Sequence, residues 1–282
     1  MANIVLPALT SIIGLAFAAV LAARFTKKRH AYELVWALGL LWYALAAGTE
    51  AVGGASGWSP ALYKTWYITG AVGVAAYLGA GTLFLHRDPS FGSLAVVSIL
   101  GSGVPDLVTN HLDIGFSALS AAIGLTAVLT LKPTRFPHAV FAVLLIASAL
   151  AAIRVANAQV DITQLPTSSE QIVSGQAFDA DIRALPIPLN IAGTLILVLG
   201  AGGSAIQFWQ TRSNSNRVAS NVLIVVGALI VGEASGLTRF GITALFFVGQ
   251  LVGMLCLLTG FLLSAQPTDR VIRWFAAPRL SH

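Results

Sequence analysis

Glu50, Asp106 and Glu233 are acids that stand in or at the ends of long apolar runs, and Lys64, Arg154 and Arg239 are bases placed in the same way. A carboxylate in such a setting can hold a proton or a small cation. An ammonium or guanidinium can pair with it or bind an anionic group, because an unpaired charge in low dielectric is unstable and a paired one persists. An ionisable residue at mid-membrane costs about 2.5–3.5 kcal/mol on insertion scales and marks a functional site by default. Tyr63, Trp66 and Tyr67 accompany Lys64, and His111 and Asp113 follow Asp106. Two readings compete. In the plainer one, helix ends reach headgroups and water, with Tyr and Trp as the usual interfacial belt. In the sharper one, Glu50 and Glu233 pair with Lys64, Arg154 or Arg239 around a polar vestibule, and Tyr63, Trp66 and Tyr67 line its entrance.

The most unusual local chemistry is Gly101-Ser-Gly-Val-Pro-Asp106. Two glycines loosen a helix, and a proline removes a backbone donor. Carbonyls freed beside a carboxylate can hold a cation or proton, as the interrupted helices of transporters do; a frayed helix end is the plainer alternative. Other motifs fail. Gly54-Ala-Ser-Gly57 has the letters of an intramembrane serine protease, but no histidine is placed to activate Ser56. His30, His86 and His138 do not form an axial pair for haem, and no deep lysine offers a retinal-type Schiff base. The single cysteine, Cys256, excludes an internal disulfide and a two-cysteine redox pair. No cofactor, metal site or enzyme activity is expected.

These residues must be positioned by membrane helices. The chain is 56% hydrophobic and 10% charged, against about 25% charged for an ordinary soluble domain, and its mean hydropathy is +0.82. Lipid is the solvent that accommodates so much apolar surface. Nine runs approach the length of a span: residues 3–24, 31–53, 60–86, 89–108, 114–131, 136–157, 186–209, 218–236 and 242–264. The fourth and fifth are short; without them seven remain. The expected fold is therefore all-α, a single polytopic bundle over residues 1–282. With the N-terminus outside and the C-terminus cytoplasmic, Lys64, Arg154, Arg183 and Arg239 are the outer bases and the other twelve of the 16 face the cytoplasm, as the positive-inside rule requires. The first run has no preceding positive charge and reads as a retained helix, not a cleavable signal. The +5 net charge reflects these clusters and not a nucleic-acid surface.

Residues 158–185 form the longest polar segment, read as a solvated linker or, around 172–178, as a lid or an interfacial helix at the outer end. Residues 265–282 mix arginines with Trp274 and Phe275, the make-up of a cytoplasmic interfacial tail on anionic lipid. Leu-Gly-Ala-Gly at Leu78–Gly81 and Leu199–Gly202 hints at a repeat, but chance among Gly/Ala/Leu-rich helices explains it as well. Glycines such as Gly249 and Gly253 suit close helix packing in lipid.

The sequence thus leads to a multi-pass protein of the cell membrane: a transporter or permease for a small polar substrate or ion, whose site comprises Glu50, Tyr63, Lys64, Trp66, Asp106, Arg154, Glu233 and Arg239. Replacing Asp106 with Asn is expected to abolish ion-coupled uptake. The competing class is a non-transporting sensor or an accessory subunit with membrane-protein partners. The scarcity of polar residues in the cytoplasmic half favours that class, since a transport path needs an inner route.

Overall fold

The computed structural model describes residues 1–85, 135–167, 171–212, 215–237 and 245–264, with 233–237 described as backbone only. These residues are 87% helical and contain no strand. The spans expected at 89–108 and 114–131, the Gly101–Asp106 motif, His111, Asp113, Arg239 and the 265–282 tail lie outside them, as does the side chain of Glu233.

The helices are α1 (Ala2–Lys28), α2 (Ala31–Ser56), α3 (Pro60–Trp66), a π-helical stretch (Tyr67–Gly73), α4 (Val74–Leu83), α5 (Phe136–Asn157), α6 (Ala180–Ala184), α7 (Pro186–Gln210), α8 (Ser215–Leu237) and α9 (Phe246–Ser264). Among the described residues, six helical stretches are long and apolar enough to cross a membrane, the make-up of a multi-pass membrane protein. A further path, α3 to α4 through the π-helical stretch, runs unbroken from Pro60 to Leu83. Large apolar side chains face outward along α1 and α5, among them Ile12, Val20, Ile146 and Ile153. In water such faces would be a liability; in lipid they are the solvent-facing surface.

Helix ends follow local chemistry. Arg29 adopts a left-handed conformation (φ 57°), and its amide donates to the Phe25 carbonyl at 2.8 Å. This closes α1 and turns the chain directly into α2. Ser59 caps α3 by accepting from the Leu62 amide at 3.2 Å, with Pro60 at the first helical position, where a missing amide hydrogen costs nothing.

The long helices close a ring: α1 packs on α2, α2 on the α3–α4 path, α4 on α7, α7 on α8, α8 on α9, and α9 on α1. Helix α5 lies outside it, against the π-helical stretch and α4. The middle of the ring is filled by apolar side chains, including Phe17, Leu40, Leu78, Leu197, Leu257 and Phe261. Helices α4 and α7 meet backbone to backbone: a Cβ on Gly79 or Gly193 would run into the main chain of the other helix.

The bundle has two distinct ends. One carries Arg24, Lys27, Lys28 and Glu33 from the α1–α2 turn, and there Phe84 and His138 lie 4.9 Å apart, ring to ring. The other end is capped by the chain between α5 and α7. Leu165, Val173, Ala177, Phe178 and Ile182 of that segment are buried against Tyr63, Tyr67 and Val155. The Tyr63 hydroxyl donates to the Ser174 carbonyl at 2.7 Å and that of Tyr67 to the Ile182 carbonyl at 3.3 Å. Ile172 reaches across to Phe246 and Phe247 of α9 and Leu6 of α1. The segment therefore packs on both sides of the ring and is folded in its own right. Asp161 opens a short turn of it, and two hydrogen bonds from Thr163, at 2.6 and 3.0 Å, hold its carboxyl below the usual carboxylate range.

Candidate functional site

Glu50 lies six residues before the end of α2, about 9 Å along the axis from the capped end. It faces into the ring and is only 3% exposed. The Trp66 indole nitrogen donates to its Oε1 at 2.8 Å, and the Gln250 side-chain amide donates to the same atom at 3.1 Å. Its other oxygen, Oε2, is buried with no hydrogen-bond partner among the described residues, and neither is there one for Gln250 Oε1. No cation contacts the carboxyl among the described residues.

Each partner is held from outside the site. Trp66 is wedged between Trp58 and Tyr63, with ring centroids 6.1 and 5.5 Å away. Trp58 fits because residue 53 is glycine; a Cβ there would overlap its ring. Tyr63 is in turn packed on Phe178 of the cap at 4.9 Å. Gln250 is fixed from below by Tyr43, whose buried hydroxyl donates to the Gln250 main-chain carbonyl at 2.9 Å. Three elements thus converge on one carboxyl: α2 supplies it, and α3 and α9 supply neutral donors.

Trp66 is also the last residue before the π-helical stretch. That wider stretch is locked by Asn190 of α7, which donates to the Ala71 carbonyl at 2.9 Å. Trp42 of α2 fills the space beside Gly73, where a Cβ would stand 2.8 Å from the indole. Single π-helical turns occur frequently at functional sites.

Of the remaining sequence candidates, the described Lys64 and Arg154 make contacts elsewhere. Lys64 turns to the end of α5, donating to the Ala156 carbonyl at 2.8 Å, where a cation neutralises unpaired helix carbonyls. Arg154 stands 3.8 Å from Asp181 of α6, both partly exposed. The expected pairing of Glu50 with Lys64 or Arg154 is replaced by amide and indole hydrogen bonds. Tyr63 and Tyr67 carry the cap and do not line an open entrance.

Two residues of the polar interior were missed in the sequence. Gln250 is a lone amide in the apolar run of α9, which is the signal that marks it. Glu33 follows the basic cluster of Lys27, Lys28 and Arg29 closely in sequence, yet it is fully buried. Arg24 Nε donates to its Oε1 at 2.9 Å and the Tyr32 hydroxyl at 3.4 Å, and the Arg24 guanidinium lies 4.8 Å over the Phe261 ring. The two-residue turn after α1 brings this pair face to face.

No group of three or more His, Cys, Asp or Glu residues that could hold a metal occurs among the described residues. Comparison with known proteins finds no family model, no curated protein and no solved structure that matches this chain.

Proposed function

We propose that this protein is a multi-pass transporter of the cell membrane for a small polar solute, with Glu50 as the residue that takes up and releases the coupling ion. The observation that carries this is a carboxyl buried inside a ring of helices whose donors, among the described residues, are all neutral; Glu33, which likewise leaves one oxygen unpartnered there, has a guanidinium. Purely structural acids in lipid are paired; an uncompensated one marks an ion or proton path. In this reading the capped end faces outward. Among the described residues, Arg24, Lys27, Lys28, Arg29, Arg212 and Arg217 fall at the opposite end, the bias expected of a cytoplasmic side. Asp106, Glu233 and Arg239 would complete the vestibule from the rest of the chain. The meeting of Phe84 and His138 at one end fits nine spans, and equally seven if 89–108 and 114–131 do not cross, because either an added pair of crossings or none leaves α4 and α5 joined on one side.

The apolar filling of the ring favours a second reading, a sensor or accessory subunit in which nothing passes. For a transporter, the same filling makes this conformation the closed one, with the cap over the end that holds Glu50 and no polar route through the middle among the described residues.

The test uses proteoliposomes loaded with a pH-sensitive dye and offered a panel of amino acids, monosaccharides, organic acids and amines. At least one class is expected to drive a pH change that Glu50→Gln abolishes. Absence of any solute-driven change across the panel overturns the transport reading and leaves the subunit reading standing.

A further inference from the structure

Glu50 and Gln250 are joined by one hydrogen bond, from the Gln250 amide to Glu50 Oε1 at 3.1 Å. Each also keeps one buried acceptor without a donor among the described residues, Glu50 Oε2 and Gln250 Oε1. The two side chains are 3% and 6% exposed. Two surplus acceptors on two groups already in contact amount to a deficit of one hydrogen. An ionised carboxylate cannot correct this, since it only accepts; a carboxylic acid can, because it carries an O–H.

We infer that Glu50 carries a proton on Oε2 and donates it to Gln250 Oε1, so that carboxyl and carboxamide close a ring of two opposed hydrogen bonds. The proton comes from water at the capped end; one O–H bond forms, and nothing is oxidised or reduced. Oε1 is then the carbonyl oxygen of the acid, and its two lone pairs take the Trp66 and Gln250 donors. Every buried acceptor of the pair is satisfied, which the ionised form does not achieve.

The surroundings agree. The described groups facing Glu50 are Tyr43 on its own helix, Trp66 on α3 and Gln250 on α9, none of them charged. The Tyr43 hydroxyl is committed to the Gln250 main chain. On α1, Ser11 donates to the Ala44 carbonyl, and Lys64 is committed to Ala156. A hard cation in place of the proton would require several oxygen ligands, and it would meet two N–H donors already on Oε1. The role of this proton as the coupling ion rests on the transport reading; its presence on Glu50 does not.

Infrared difference spectra of the purified full chain in lipid nanodiscs, recorded between acid and alkaline pH, test the pair directly. A protonated-carboxyl C=O band is expected at neutral pH in the native chain, to be lost in Glu50→Gln, and to move to higher frequency in Gln250→Leu, where one hydrogen bond to the carbonyl is gone. Absence of a Glu50-dependent band at neutral pH overturns the inference. So does an unshifted band in Gln250→Leu, a readout that survives even if Glu50→Gln fails to fold. Thermal unfolding in sodium chloride against choline chloride at equal ionic strength supplies the other arm. Equal midpoints are expected, and a sodium-specific rise that Glu50→Gln removes would replace the proton with a cation. A Glu50 band without solute-driven proton movement sinks the transport reading and keeps the proton; the converse result does the opposite.

Discussion

Helix α2 carries a buried carboxyl near each end, and the two are solved by different chemistry. Glu33 and Glu50 are separated by roughly 25 Å along the axis (about 17 residues at 1.5 Å each). Glu33 is matched by a guanidinium at 2.9 Å, whereas Glu50 has an indole and an amide. A charge-assisted pair holds its acid in place, and it fastens α1 to α2 and, through the Phe261 ring, to α9. A neutral cradle holds an acid while leaving its protonation free to change. The lesson is that burial alone does not distinguish a structural acid from a working one; the charge state of its partners does.

The largest effect tests the structural half of that contrast. Arg24→Leu leaves Glu33 buried and unpaired and is expected to cost about 3–5 kcal/mol in unfolding free energy, as loss of one partner of a buried pair does. The double variant Arg24→Leu/Glu33→Leu should recover much of it, measured by denaturation in detergent micelles. Second, Glu33→Gln and Glu50→Gln should diverge. The first strands Arg24 without its counter-charge and is expected to lose about 1.5–3 kcal/mol, the worth of a hydrogen bond to a charged group. The second preserves an uncharged partner for Gln250 and should stay within about 0.5 kcal/mol of the native chain, the range of a substitution that breaks no buried pair. Equal losses at both positions would erase the distinction. Third, Trp66→Phe removes one donor to Glu50 and should cost about 1 kcal/mol, with a larger relative effect on any proton-coupled activity than on folding. The smallest change is Lys64→Met. An exposed cation at a helix C-terminus contributes about 0.3–1 kcal/mol, so loss of function from this variant would return Lys64 to the site.

The helices were legible because their ends are written in residue types that physics confines to ends. Pro186 begins α7, and α5 runs from Phe136 to Asn157 over the same residues as the apolar run that predicted it. Glu50 was legible as a candidate because a charge within an apolar run is costly, and Trp66 because it accompanies Lys64 at the margin of the next run. Their partnership was not, since contact between α2, α3 and α9 depends on tertiary closure that no local pattern encodes. Gln250 is uncharged, and a search guided by charge passes over it. Glu33 sat too close to a basic cluster to read as interior. The cap was legible only as one of two readings, because its polar composition masks the spacing of Val173, Phe178 and Ile182, which bury themselves on Tyr63 and Tyr67. The π-helical stretch has no signature beyond Gly70 and Gly73.

That stretch holds its length of chain in wider coils than the rest of the α3–α4 path. Were one residue's worth of winding to be taken up by tightening into ordinary α geometry, the whole of α3 would screw about its axis by about 100° and slide about 1.5 Å. Trp66 would swing its ring nitrogen off the acid, while Tyr63 and Tyr67 would let go of the covering segment in the same stroke. Unbolting the roof and loosening the proton would then be a single mechanical event, with Asn190 as its latch.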